Sequence, residues 1–172
     1  MCSSDLALTG HLVLSTLHTN DSAAAITRLL DLGVAPYLLN STILGIMAQR
    51  LVRTLCKHCK EKIPFGNRAE DVNWDEFVAP WKAKSPEHVY RPVGCLECRN
   101  TGFIGRLGLY EILLMSAPLR KIIHESADLT RIREQAYKEG MKPLRISGAA
   151  KIAGGLTTFE EVMAVAPPAG QG

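Results

Sequence analysis

Thr9-Gly-His11-Leu-Val-Leu-Ser-Thr16-Leu-His18-Thr-Asn-Asp21 is the stretch on which the reading of the fold turns. Residues 12–17 are mostly apolar, with a β-branched residue and hydroxyls among them, and read as a buried strand closed by the polar group at 18–21. A helix follows at once. Ile26, Leu29 and Leu30 recur at i, i+3 and i+4, Asn20, Asp21 or Ser22 can cap the start, and Gly33 supplies a left-handed stop. A strand thus meets an amphipathic helix. On such a strand His11 and His18, as i and i+7, face opposite sides and cannot share one metal ion. His18 lies just past the strand's carboxyl end, where open α/β sheets bind ligands, and is placed either to hydrogen-bond a phosphate or to make local turn bonds.

Working outward, Pro36 opens a second helix with Leu39, Ile43, Ile46 and Met47 on one face, and residues 51–55 suit a short strand. Pro64, Gly66, Pro80, Pro86 and Pro92 then punctuate a charged stretch that reads as a small insertion with one short helix over 69–78. Residues 101–114 begin with glycine-rich turn chemistry and continue as a hydrophobic strand. Helical signals close the chain: Ser116 caps a helix with Leu119, Ile122 and Ile123 inward, Asp128 or Thr130 caps another, and residues 144–152 form a third. Thr157 and Glu160 have capping-box spacing for the last helix, before a frayed tail at 166–172.

The 172 residues, 47% hydrophobic and 22% charged, suit a globular domain with a sizeable core and exclude a disordered tail or a fibrous rod. Apolar runs such as 12–14 and 23–26 are far short of the roughly 20 residues a membrane-spanning helix needs. A net charge of +3, from 20 basic against 17 acidic residues, demands no nucleic-acid partner. Residues 1–10 carry no secretory signal, so the expected location is the cytoplasm, where thiols stay reduced.

Cysteine spacing carries the strongest chemical signal. Cys56-Lys-His-Cys59 and Cys95-Leu-Glu-Cys98 each let two thiolates grip one ion from a tight knuckle, and two knuckles complete a tetrahedron. Structural zinc is the favoured occupant; another soft ion, a metal-free remnant and redox chemistry are the alternatives. With all four positions sulfur, no coordination site is open to substrate. Lys57, Lys60 and Arg99 stand where they could offset the thiolate charge, while His58 and Cys2 read as bystanders.

Residues 9–22 closely resemble the histidine box of the type II secretion and type IV pilus assembly ATPases. The same order continues in Ala48-Gln-Arg-Leu-Val-Arg53 leading into Cys56, in Gly94-Cys95 through Cys98, and in Thr101-Gly-Phe-Ile-Gly-Arg106-Leu-Gly-Leu-Tyr-Glu111. It ends in Gly155-Leu-Thr-Thr-Phe-Glu-Glu161. The resemblance spans roughly residues 8–165 and implies the C-terminal part of a RecA-like P-loop ATPase domain with an inserted tetracysteine zinc module and a C-terminal helical bundle. It further implies a cytoplasmic hexamer, peripheral at the inner membrane through platform proteins, that drives pilus or pseudopilus assembly with ATP and magnesium.

Carried over by position, His18 resembles the histidine that senses or orients the γ-phosphate, and His11 is the other histidine of the box. Arg50, Arg53 and Arg106 match basic positions near the nucleotide or a neighbouring subunit. Arg50 and Arg106 are the expected nucleotide-binding pair, and a solvated or carboxylate-paired arginine is the competing reading, strongest for Arg53. The sequence contains neither the Gly-x-x-x-x-Gly-Lys-Ser/Thr loop nor an acidic strand end for magnesium, so the expectation is a C-terminal portion, inactive alone, whose first partner is the upstream half of the enzyme.

The expected divisions are 1–7 as a start outside the family pattern and 8–55 as part of the ATPase core with the histidine box. The zinc module follows at 56–98, a return strand at 99–115, the helical region at 116–165 and the tail at 166–172. The contrasting hypothesis is a zinc-ribbon adaptor that docks on a membrane platform protein or on nucleic acid. Only Phe103 and Tyr90 lie near the knuckles to stack on bases, and Glu61, Glu70, Asp71 and Glu97 dilute the positive charge, so no nucleic-acid binding is expected.

Overall fold

The computed structural model describes residues 3–66, 73–124 and 126–166. Cys2, part of the helix expected over 69–78, and the tail from Pro167 lie outside them. Two compact units are interleaved in sequence: Met1–Ala48 with Glu111–Lys142, and Gln49–Tyr110 with Pro143–Gly172. Each is described on its own.

The first unit contains α1 (Ser3–Leu8), α2 (Ser22–Asp31) and α3 (Pro36–Thr42), the start of strand β1 (Gly45–Leu55) and the end of strand β4 (Phe103–Leu114), then α5 (Ala117–Ile122) and α6 (Leu129–Lys138). Asp21 caps α2, its carboxylate accepting the Ala24 N–H at 2.7 Å. At the other end Gly33 (φ 84°) and Val34 donate to Leu30 O and Leu29 O, the paired bonds of a Schellman stop. Ser116 and Asp128 cap α5 and α6 as their positions predict. Ala23, Ile26, Leu39, Leu113, Leu119 and Ile132 form the buried cluster, drawn from helices and strand end alike.

Two expectations fail in this unit. Residues 12–17 form no strand: Leu12 and Leu14 are 77% and 89% exposed, and residues 11–19 hold no regular structure. A strand exists only through a neighbour that pairs its N–H and C=O groups, and no described strand pairs with this run. Without a strand, His11 and His18 are not fixed on opposite faces. The second helix ends at Thr42, Ile43 turns extended (ψ 125°), and Ile46 and Met47 belong to β1. β-Branched Thr42 and Ile43 begin the departure, and strand pairing to β4 outweighs the helical spacing.

The second unit holds most of β1 and β4, β2 (Glu61–Pro64), α4 (Trp74–Val78), β3 (His88–Arg91), α7 (Leu144–Ala153) and α8 (Phe159–Val165). β1 pairs with β4, and the flanking bonds Cys56 N–H to Gly102 O and Met115 N–H to Leu44 O make the pair antiparallel. β2 pairs antiparallel with β3, Glu61 opposite Arg91 and Pro64 opposite His88. This small sheet escapes the sequence reading because four-residue strands carry too few alternations to register against their prolines. Val52 and Leu109 from the long strands pack with Trp74, Phe77, Ile152 and Val162 in the core, and the Phe77 and Phe159 rings lie 4.5 Å apart.

The last helix is capped one residue later than the sequence spacing indicates. Thr158 accepts the Glu161 N–H, while the Thr157 hydroxyl donates to Arg53 O at 2.8 Å. Of the helices described after Met115, α5 and α6 belong to the first unit and α7 and α8 to the second.

Candidate metal centre

The first cysteine knuckle begins where β1 stops. Cys59 and Lys60 both donate backbone N–H groups to Cys56 O, closing the turn. The second is a 3-10 turn over Leu96–Cys98, after which Arg99 and Asn100 adopt left-handed backbone (φ 52° and 60°) and donate to Leu96 O and Cys95 O. Pairing of β2 with β3 begins beside Lys60 and ends shortly before Gly94, so it brings the knuckles together at one end of the small sheet. An Arg91–Glu61 ion pair of 2.6 Å spans the same end.

The four sulfurs lie within 4.8 Å of one another. Cys56 to Cys95 is 3.9 Å, and Cys59 to Cys98 and Cys95 to Cys98 are each 3.7 Å. Four thiolates at about 2.3 Å from a common ion stand about 3.8 Å apart at the corners of a tetrahedron, so the cluster has the dimensions of a four-thiolate site. Disulfides need about 2.05 Å, and all four cysteines are free.

Backbone amides supply much of the electrostatic support. Gly94 N–H points at Cys59 Sγ (3.3 Å), and Cys95 and Gly102 N–H both point at Cys98 Sγ (3.1 and 3.2 Å). Burial raises the Cys98 thiol, but those two amides and the neighbouring sulfurs outweigh it and bring the group down to about 6. Burial pushes Cys59 up to about 11, against the pull of its Gly94 amide, so the quartet has one sulfur already disposed to be thiolate beside one that resists. The Lys60 ammonium donates to Gly155 O at 2.7 Å and lies 4.5 Å from the Tyr90 ring centre. Lys57, His58 and Arg99 are exposed.

The remaining expected site residues fall in both units. His11 and His18 sit exposed in the irregular segment of the first unit, His11 Nδ1 being 3.0 Å from Thr9 Oγ1. Arg50 on β1 and exposed Arg106 on β4 belong to the second unit. Arg53 follows the carboxylate-paired reading: its Nε and Nη2 both donate to Glu161 Oε1 (3.0 and 2.5 Å), its backbone N–H to Oε2 (3.0 Å), and its guanidinium stacks on Phe103 at 4.2 Å. The side-chain bond from Arg53 holds the Glu161 carboxyl below the usual carboxylate range. Both aromatics that could have stacked on bases, Phe103 and Tyr90, thus carry an intramolecular cation on one ring face.

Sequence reading missed Glu111 as more than a motif letter. It is buried at the end of β4 and accepts the Ser22 N–H at 2.9 Å and the Ser22 hydroxyl, so β4 is tied to the first turn of α2. Asp21 beside it also pairs with Arg133 of α6. An acidic residue at an alternating position of an otherwise apolar strand end was the available signal.

A family model described as "Type II/IV secretion system protein" matches residues 3–164. The type IV pilus assembly ATPase TfpB of Acinetobacter baylyi is 47% identical over 161 residues, covering 94% of this chain and 27% of the relative. The type II secretion system ATPase E of Vibrio cholerae is 43% identical over 159 residues, covering 92% of this chain and 30% of that one. The chain therefore spans under a third of the length of these relatives. Among solved structures, the pilus retraction motor PilT with bound ADP superposes over 97% of the chain and 36% of its own at a TM-score of 0.57 and 21% identity, which shows an α/β fold of the same kind. Through the match over nearly its whole length, and the identity with the secretion and pilus assembly ATPases, this chain belongs to the type II/IV secretion system protein family.

Proposed function

We propose that this chain is the C-terminal portion of a hexameric motor ATPase that couples ATP hydrolysis to assembly of a pilus or pseudopilus, and that its own contribution is a zinc-braced module attached to part of the nucleotide-sensing region. The observation that carries this is 47% identity over 161 residues with a type IV pilus assembly ATPase. The upstream half is the proposed partner for Leu12, Leu14 and Leu17, which leave apolar surface on a segment with strand composition. Further partners in this reading are neighbouring subunits and inner-membrane platform proteins. Attachment to the membrane through such proteins agrees with the absence, among the described residues, of a helix long and apolar enough to cross it.

Zinc is the proposed occupant of Cys56, Cys59, Cys95 and Cys98, because an all-sulfur donor set with tetrahedral dimensions suits it. It would supply structure and no open coordination position. The phosphate loop and magnesium ligands belong in this reading to the upstream half. His18 is assigned the sensing of the γ-phosphate, with His11 as its companion, and Arg50 and Arg106 are assigned to nucleotide or subunit contact. Phosphate loss then frees His18 and lets this region rotate relative to the upstream domain, with the zinc module as a rigid lever.

In a full-length enzyme carrying this segment, His18→Ala should slow ATP turnover about tenfold or more while nucleotide affinity stays within about twofold. Unaltered turnover would remove His18 from the mechanism. Equal loss of affinity would reassign it to ground-state binding.

A further inference from the structure

Tyr90, Lys60 and Gly155 come from three separate elements of the second unit and meet at one point. Lys60 follows the first knuckle directly, Tyr90 lies on β3 ahead of the second, and Gly155 sits in the turn between α7 and α8. The turn is itself well defined: Gly155 N–H donates to Ile152 O and Leu156 N–H to Lys151 O, a Schellman stop with Gly155 at φ 63°. That geometry leaves Gly155 O turned outward, where the Lys60 ammonium donates to it at 2.7 Å. The Tyr90 ring closes over the same glycine so tightly that a Cβ there would stand 2.5 Å from Cδ2 and Cε2. Lys60 lies 4.5 Å from the centre of that ring. Immediately beyond, Leu55 N–H donates to Leu156 O at 2.8 Å, joining the residue before Cys56 to the same turn.

From this we infer that occupancy of the four-cysteine site and docking of the α7–α8 turn are linked through a Lys60–Tyr90–Gly155 latch. The inference rests on the zinc reading of the cysteines. A metal that fixes both knuckles fixes Lys60, which follows Cys59 directly, and steadies the β2–β3 pair in which Tyr90 lies opposite Lys62, and so presets the donor and the ring that hold Gly155. The linkage is reciprocal: whatever loosens the turn weakens the metal by the same factor. Residues 155–161 are the Gly-Leu-Thr-Thr-Phe-Glu-Glu motif, so the latch makes that motif the element that responds to the metal.

The test uses the 172-residue chain, reduced and stripped of metal, with zinc added back. Zinc affinity is measured by competition with a chromogenic chelator, and amide hydrogen exchange of residues 155–162 with and without zinc. In the parent chain, zinc should slow exchange in that window. Lys60→Met, which keeps the aliphatic stem, should lower zinc affinity about fivefold and cut the added protection by the same factor. Gly155→Ala should do more, because it adds a Cβ against Tyr90 at a left-handed position. Lys57→Met removes the same charge from an exposed site on the same knuckle and should leave both readouts near the parent values. Equal losses for Lys57→Met and Lys60→Met would overturn the latch in favour of long-range charge compensation. Zinc binding with no change in exchange over 155–162 would overturn the latch alone, and a parent chain that binds no zinc would overturn the zinc reading and the latch with it.

Discussion

The two cysteine knuckles and the segment at 11–19 both read strongly in the sequence, yet only the knuckles hold the arrangement that the sequence spacing implies. Each knuckle is closed by bonds between residues at most five apart in sequence, such as Lys60 N–H to Cys56 O and Asn100 N–H to Cys95 O. Residues 12–17 instead require a neighbouring strand, and among the described residues none is supplied. The difference teaches that a motif whose geometry is local is held by its own bonds, whereas one that completes a sheet is only as good as its neighbours.

The sharpest way to break that contrast is to remove one thiolate. Cys95→Ser should abolish tight metal binding, with zinc content after dialysis falling from one equivalent to well under half, and should lower the denaturation midpoint in zinc while leaving the metal-free midpoint nearly unchanged. Next in size is the core: Leu109→Ala, at a fully buried position, should cost about 2–5 kcal/mol by denaturant unfolding. Asp21→Ala removes both the α2 cap and the partner of Arg133 and should cost about 1–2 kcal/mol in the same measurement.

Smaller still is the Arg53–Glu161 contact. Its carboxyl is held low in the folded chain, so the stabilisation is fully present above the ordinary carboxylate range and fades as pH falls through the lowered value. The stability gap between the parent chain and Glu161→Gln should therefore be steady at neutral pH and shrink below about pH 4; a gap that widens on acidification would contradict the pairing. Smallest is Leu14→Ala, which should change stability by less than about 0.5 kcal/mol in this chain. A loss comparable to that of Leu109→Ala would mean that residues 12–17 are packed after all.

Most helix ends were legible because capping is written in one or two residues: Asp21, Gly33, Ser116 and Asp128 all act where their type predicts. Each cysteine knuckle was legible because it is written in four consecutive residues. The β2–β3 sheet was not, since each strand is four residues and one ends in proline. Nor was the choice at residues 43–47, where an apolar pattern fits helix and strand alike and only pairing with β4 decides. At the site, spacing located the sulfurs but not their amide donors, nor the bond from Lys60 to Gly155 O, which a sequence offers no view of.

The interleaving of the units bears on how the polypeptide must be made. Neither unit is a continuous stretch: residues 49–110 interrupt the first, and 111–142 separate the two parts of the second. A ribosome releasing this region cannot finish one unit before starting the other. The first is complete only once the residues through Lys142 have emerged, by which time residues 49–110 of the second are already outside and waiting for α7 and α8.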